Sequence, residues 1–111
     1  MARIDHVAVE SPDPDAAARF YERVFGARVV RTEGHPVVAY LGNSGFSLHA
    51  EGHAPPHTGI RVSEEERAAI KERLDAEGIA SWERDHGIAV GLFFEDPDGR
   101  LIEAITYSGV A

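Results

Sequence analysis

The chain has 111 residues, of which 43% are hydrophobic, and its formal net charge is −8. This length is typical of one domain, and the negative charge argues against nucleic acid and anionic membrane surfaces as partners. The sequence has no cysteine, which excludes disulfides, thiolate metal sites and a cysteine nucleophile. No apolar segment approaches the ~20 residues of a membrane span, and the first residues lack the apolar region of a secretory signal. We therefore expect a cytoplasmic protein.

The first half of the chain predicts a strand, a helix and three more strands. Isoleucine and valine dominate residues 3–9, and the Ser-Pro-Asp-Pro-Asp run that follows ends the strand and can cap a helix. The helix should begin near Asp15 and end before Gly26. Its apolar residues have the spacing of one buried stripe: Ala17, Phe20, Tyr21, Val24 and Phe25. Residues 27–31, 36–41 and 45–50 are the three further strands.

The same order of elements returns after a proline-rich linker at residues 52–56. A strand at 57–62 is followed by a helix at 64–77. Ser63 and Glu66 form a capping box at the start of this helix. Residues 79–84, 88–94 and 100–106 are predicted strands, and an Asp-Pro-Asp-Gly turn at 96–99 precedes the last of them.

The chain therefore contains an internal repeat of β-α-β-β-β order with a period of about 50 residues. We interpret residues 1–111 as one α+β domain made of two modules. The modules span about 1–51 and 57–111, and the linker 52–56 joins them. Because residue identity between the halves is low, the order of elements carries this prediction.

Two histidines occupy equivalent places in the repeat, since His6 and His57 each lie on the first strand of a module. If the modules pack about a pseudo-twofold axis, the two imidazoles converge. Glu103 lies in an otherwise apolar last strand. Two imidazoles and a carboxylate suit one divalent ion such as Mn²⁺, Fe²⁺, Ni²⁺, Zn²⁺ or Co²⁺ and leave positions open for substrate. The alternative is that both histidines are structural or at the surface and that Glu103 is solvated.

Several motifs together resemble the vicinal oxygen chelate superfamily over essentially the whole chain. They are Ile4-Asp5-His6-Val7-Ala8-Val9, Phe20-Tyr21 with Val24-Phe25-Gly26, His57-Thr58-Gly59-Ile60, and the run from Phe93 through Asp-Pro-Asp-Gly to Glu103. The superfamily includes glyoxalase I, fosfomycin-inactivating transferases, extradiol dioxygenases and bleomycin-resistance proteins. The resemblance implies paired βαβββ modules that form a cup-shaped mixed sheet, with metal ligands at His6, His57 and Glu103. It also implies that the metal chelates vicinal substrate oxygens and acts as a Lewis acid.

Some positions depart from the family's patterns. Many members have Glu or Gln where this chain has Ser47, so the resemblance gives less support to a glyoxalase I or epimerase mechanism that needs a carboxylate there. His49 shares a strand face with Ser47 and could substitute, or it could be a rim or surface histidine. Ala8 and Phe93 replace a Thr and a Tyr of the fosfomycin transferases, which argues against fosfomycin as substrate.

Other side chains are candidates for contact with a substrate. Arg61 shares the face of His57 and could bind a carboxylate or phosphate, although it could equally be a surface residue. Tyr107 shares the face of Glu103 and could donate a hydrogen bond or cover the core edge. Aromatic residues on the strands are candidates for an apolar wall or for ordinary packing: Tyr40, Phe46, Trp82 and Phe93. His86, in a loop between strands, is the first candidate for acid–base chemistry.

The sequence thus supports two functional hypotheses. The first is a divalent-metal-dependent enzyme of glyoxalase, lyase, isomerase, transferase or dioxygenase type that acts on an oxygen-bearing small molecule. The alternative is a protein that binds and sequesters an antibiotic or other small molecule without catalysis. We expect a homodimer in which the two chains can exchange modules, so that His6 of one chain would join His57 and Glu103 of the other.

Overall fold

The computed structural model of the chain describes residues 2–108. Two compact units divide the chain, one formed by Asp5–His57 and the other by most of the remaining residues. We call them the first and the second unit. Residues 2–108 contain two helices and eight strands, so the α+β class predicted from the sequence is confirmed. No helix among residues 2–108 is both long and apolar enough to cross a membrane.

The first unit contains the βαβββ order expected for the first half of the chain. Its elements are β1 (Arg3–Ser11), α1 (Pro14–Phe25), β2 (Arg28–Val30), β3 (Val37–Leu41) and β4 (Ser44–Ala50). The strands lie in the order β2-β3-β4-β1, with β1 parallel to β4 and the other pairs antiparallel. Asp13 caps the start of α1 by accepting the amide of Ala16, and Gly26 ends it in the left-handed conformation, which glycine adopts without steric cost.

Helix α1 covers one face of this sheet with a different stripe from the predicted one. Ala18 is fully buried among the core residues, and Ala17 and Tyr21 pack against the same core. Phe20, Val24 and Phe25 are exposed, so the prediction that they are buried is wrong. The small Ala17 and Ala18 face the sheet, and Tyr21 stacks on Phe46 of β4 with ring centroids 4.6 Å apart. This rotation of the helix turns the larger side chains towards solvent.

The second unit repeats the same order. Its elements are β5 (His57–Arg61), α2 (Glu64–Ala76), β6 (Ser81–Asp85), β7 (Ala89–Glu95) and β8 (Leu101–Tyr107). The first residue of β5, His57, is the last residue of the first unit. The strands lie in the order β5-β8-β7-β6, with β5 parallel to β8. The predicted Ser63–Glu66 capping box is present at the start of α2. The core lies between α2 and the sheet, around Val62, Leu74, Leu92 and Ala104.

In each unit the face of the sheet away from its helix carries the polar candidates. Strand alternation and the observed registers place His6, Ser47, His49 and Tyr40 on this face of the first unit, because their neighbours in sequence belong to the core. The corresponding face of the second unit carries Arg61, Trp82, Phe93, Glu103 and Tyr107. We call these the helix-distal faces.

Candidate metal centre

His6 and His57 are brought together within the first unit. Their Nε2 atoms are 3.3 Å apart, and the rings meet edge to face with centroids 5.3 Å apart. Two imidazoles at this separation direct their ε nitrogens at the same small region.

The other nitrogen of each ring is held by a hydrogen-bond acceptor. His6 Nδ1 lies 2.8 Å from Oδ2 of the buried Asp5, and His57 Nδ1 lies 2.9 Å from the carbonyl oxygen of Pro55. A carbonyl and a carboxylate both accept, so each Nδ1 carries the proton. The Nε2 atoms of the two rings, 3.3 Å apart, are then close enough to bind the same metal ion. The donor set of this pair therefore fits a divalent metal.

Glu103 lies in the middle of β8 in the second unit and is only 1% exposed. Gly59 on β5 and Phe93 on β7 are its neighbours across the sheet. The sheet leaves room for the carboxyl group because position 91 is a glycine, where a Cβ atom would overlap Oε2 of Glu103 and lie 2.9 Å from its Cδ. Glu103 is therefore a buried carboxyl group and not a solvated one, which was the alternative interpretation of the sequence.

His86 contacts Glu103 directly. Its Nε2 is 2.9 Å from Oε2 of Glu103, and its ring meets Phe93 edge to face with centroids 6.2 Å apart. The loop between β6 and β7 holds His86 in place, since its backbone N–H donates to the carbonyl of Ala89. Sequence reasoning selected His86 as an acid–base candidate but gave no sign of this carboxylate partner.

Ser47 and His49 form a hydrogen-bonded pair on the helix-distal face of the first unit. The Oγ of Ser47 is 3.1 Å from Nε2 of His49, and the ring of His49 lies 6.4 Å from that of His57. Burial lowers the pKa of His49, and the neighbouring His57, His53 and His6 lower it further. His49 is therefore a half-buried neutral imidazole near the histidine pair rather than a solvated surface residue.

Arg61 and Tyr107 are paired on the helix-distal face of the second unit. The guanidinium carbon of Arg61 lies 4.5 Å from the centre of the Tyr107 ring, a cation–π contact. This contact holds the guanidinium of Arg61 over the face of the Tyr107 ring.

The aromatic candidates lie in different local environments. Trp82 and Phe93 stack in the second unit with centroids 6.0 Å apart and an interplanar angle of 13°, and Trp82 is half exposed. Tyr40 lies in the first unit, beneath the guanidinium of Arg28. Phe46 belongs to the core under α1, because strand alternation gives it the face opposite to that of Ser47.

Three contributors were missed by the sequence reasoning. Asp5 and the carbonyl of Pro55 hold the two histidine rings, and Gly91 makes room for Glu103. Only Gly91 had a readable signal, because a glycine inside a predicted strand often marks the close approach of another group.

Comparison with known proteins agrees with this architecture. The family model described as Glyoxalase/Bleomycin resistance protein/Dioxygenase superfamily matches residues 3–104. The chain is similar in structure to a methylmalonyl-CoA epimerase variant from Streptomyces coelicolor in complex with 2-nitronate-propionyl-CoA, with a TM-score of 0.76 and 20% identity over 97% of this chain and 96% of that one. It is also similar to methylmalonyl-CoA epimerase from Mycobacterium tuberculosis, with a TM-score of 0.77 and 20% identity over 95% and 87% of the two chains.

A third similar structure is described as an NAD-dependent benzaldehyde dehydrogenase from Legionella pneumophila. Its TM-score is 0.70, with 12% identity over 93% of this chain and 98% of that one. At these identities the likeness establishes the fold, which by itself does not determine the reaction. The match over residues 3–104 confirms the resemblance seen in the sequence motifs, and the chain belongs to the Glyoxalase/Bleomycin resistance protein/Dioxygenase superfamily.

Proposed function

We propose that this protein is a metal-dependent enzyme of the vicinal oxygen chelate type. His6, His57 and Glu103 would hold one divalent ion, such as Mn²⁺, Fe²⁺, Ni²⁺, Zn²⁺ or Co²⁺. The substrate would be a small molecule whose oxygen atoms complete the coordination shell. A bound divalent ion would supply Lewis-acid chemistry, which stabilises negative charge that develops on those oxygens.

The observation that carries this proposal is the geometry of the histidine pair. The Nε2 atoms of His6 and His57 are 3.3 Å apart while both Nδ1 atoms donate elsewhere. Histidine ligands of metals usually donate the second ring N–H to a carboxylate or a backbone carbonyl, and both kinds of partner occur here. The buried Glu103 adds support, because burying a carboxylate is costly unless hydrogen bonds and a cation compensate.

The candidate reaction classes are isomerase, lyase, transferase and dioxygenase. Since two of the similar structures are epimerases, proton transfer next to a substrate carbonyl is the first reaction to test. Its acid–base group would be His86, whose contact with Glu103 supports a place beside the metal. The residues that we propose to contact the substrate are Ser47, His49, Arg61, Phe93, Tyr107, Tyr40 and Trp82. Because Ser47 stands in the place of a Glu or Gln, this chain's acid–base chemistry would differ from that of relatives with a carboxylate there.

Metal analysis of the untagged protein tests the proposal. We expect roughly one transition metal per chain, either as purified or after reconstitution with each of the five ions. His6→Ala, His57→Ala and Glu103→Ala should each abolish binding, whereas the matched control His35→Ala, in a loop outside the site, should retain it. A wild-type protein that binds none of the ions would contradict the proposal.

Catalysis itself calls for a second measurement on the metal-loaded protein. Diols, hydroxy acids, epoxides, thiol adducts and branched acyl thioesters would be incubated in D₂O and followed by NMR. Deuterium uptake that depends on the metal and on His86 would support proton transfer. Products without deuterium uptake would favour one of the other reaction classes.

A binding protein without catalysis is the second candidate. The Trp82–Phe93 stack, with Trp82 half exposed, is a feature that favours it, since stacked aromatic rings suit a planar apolar ligand. In that case removal of the metal would leave ligand affinity unchanged, whereas Trp82→Ala would weaken it. The enzyme hypothesis predicts instead that the affinity for an oxygen-chelating ligand depends on the metal.

We also propose that the protein forms a homodimer with possible exchange of modules between chains. The two units are each compact, and exchanging identical elements is a low-cost route to a dimer. The cytoplasmic location expected from the sequence stays a prediction.

A further inference from the structure

The two histidines of the proposed centre are held by different kinds of partner. His57 donates Nδ1–H to a neutral backbone carbonyl at Pro55. His6 instead faces the carboxylate of Asp5, with Nδ1 2.8 Å from Oδ2. Hydrogen bonds to an ionised acceptor are shorter and about twice as strong as neutral ones. The hydrogen bond that orients the His6 ring is therefore stronger than the one that orients the His57 ring.

The position of Asp5 makes this contact unusual for an aspartate. Asp5 is 5% exposed and immediately precedes His6 in β1, so alternation would direct the two side chains to opposite faces. The Asp5 side chain nevertheless reaches the near edge of the His6 ring. A buried carboxylate destabilises a fold unless it is hydrogen-bonded, so the contact gives Asp5 a physical role beyond solubility.

We infer that Asp5 is a positioning residue that keeps the proton of His6 on Nδ1 and thereby directs the Nε2 lone pair at the region shared with His57. With the proton on Nδ1, Nε2 has the free electron pair that a metal ligand requires. The adjacent negative charge of Asp5 makes this electron pair a stronger donor to a metal ion. The expected effect of Asp5 on metal affinity rests on the proposed metal site. The tautomer of His6 does not depend on any metal.

The tautomer can be measured on the metal-free wild-type protein. Two-bond ¹⁵N–¹H correlation spectra of the histidine rings at about pH 8.5, where neutral imidazoles prevail, distinguish a protonated nitrogen from a bare one. The His6→Ala variant assigns the His6 signals by their disappearance. We expect a protonated Nδ1 and a bare Nε2 for His6. A protonated Nε2 with a bare Nδ1 would overturn the inference without any need for an Asp5 variant.

The consequence for binding is tested with Asp5→Asn and Asp5→Ala. Competition with a chromophoric chelator should show Zn²⁺ affinity lowered about 10–100-fold in Asp5→Ala, with a smaller loss in Asp5→Asn, which keeps an acceptor oxygen but not the charge. Glu22→Gln, an exposed residue of α1, is the matched control for loss of one negative charge and should bind as the wild type does. Circular dichroism checks that each variant is folded. If Asp5→Ala does not fold, the Zn²⁺ affinity of Asp5→Asn tests the inference.

The outcomes separate this inference from the proposed function. If the wild type binds no metal, the proposed function fails while the tautomer measurement still decides the role of Asp5. If the wild type binds Zn²⁺ and folded Asp5→Asn and Asp5→Ala bind it equally tightly, the positioning role fails while the metal site stands.

Discussion

Gly91 on β7 lies directly against the carboxyl group of Glu103 on β8. A Cβ atom at position 91 would overlap Oε2 of Glu103 and lie 2.9 Å from its Cδ. Both residues are buried, so neither the strand nor the carboxyl group can move aside freely. The carboxyl group of Glu103 therefore fits only because position 91 is a glycine. The two residues are not direct partners in the ladder, since Gly91 lies two residues before Phe93, the partner of Glu103.

Gly91→Ala should displace the Glu103 side chain. We expect a loss of about 1–3 kcal/mol in the free energy of unfolding, the usual cost of overpacking, together with a large loss of metal affinity. Leu92→Ala is the control, since it removes a fully buried core side chain from the opposite face of β7. That variant should cost about 2–5 kcal/mol and still bind metal. Denaturant unfolding and metal titration measure both effects, and a Gly91→Ala protein with unchanged metal affinity would contradict the prediction.

His86→Ala should destabilise the protein through Glu103. The variant removes one hydrogen-bond donor from a carboxylate that is 1% exposed, and the loss of such a partner costs about 1–3 kcal/mol. His86→Gln retains an N–H donor and should lose less. Chemical denaturation compares the two with His35→Ala. Equal stability of His86→Ala and wild type would show that the contact contributes little.

Mixing two inactive variants tests the exchanged dimer. If the modules are exchanged, combined His6→Ala and Glu103→Ala chains that are unfolded and refolded together should recover roughly a quarter of the wild-type metal content, because half of the dimers are mixed and each has one intact site. A site built within one chain, the arrangement in which the 3.3 Å contact between His6 and His57 is observed, gives no recovery. Metal content after gel filtration, beside each variant refolded alone, distinguishes the two arrangements.

The Asp-Pro-Asp-Gly turn should make stability depend on pH. Asp96 accepts the backbone N–H groups of Asp98 and Arg100, each at 2.9 Å, and pairs with the Arg100 guanidinium. The bond from the Arg100 backbone is the largest of the causes that lower the pKa of Asp96 below its ordinary 3.8. A carboxyl group with a lowered folded-state pKa stabilises the fold above its unfolded pKa, and this stabilisation is lost as the pH falls through the folded value.

Asp96→Asn should therefore be less stable than wild type at neutral pH, and the difference should shrink as the pH falls below about 4. Urea unfolding at a series of pH values measures the gap. Glu72→Gln, at an exposed position of α2, should show a much smaller pH-dependent difference. A constant gap between Asp96→Asn and wild type across this range would mean that the carboxylate charge does not contribute.

Much of the architecture follows from local sequence signals. The order of elements, the Ser63–Glu66 capping box and the end of α1 at Gly26 depend on residues within a few positions of each other, and the structure has all of them. Strand alternation also placed His49 on the same face as Ser47, because a period of two leaves only one choice. The family motifs are equally local, and the match over residues 3–104 confirmed the family.

Contacts between distant parts of the chain could not be obtained in this way. Which face of α1 is buried depends on how closely the helix approaches the sheet, and the small Ala17 and Ala18 allowed a contact that turned Phe20 outward. The tautomer of His6 depends on a 2.8 Å contact with Asp5, and the environment of Glu103 depends on His86 and Gly91. The sequence by itself determined which elements form and which residue types are available for chemistry. Only the tertiary structure decided their partners, because hydrogen bonds and steric exclusion act over distances of a few ångströms that residue spacing does not specify.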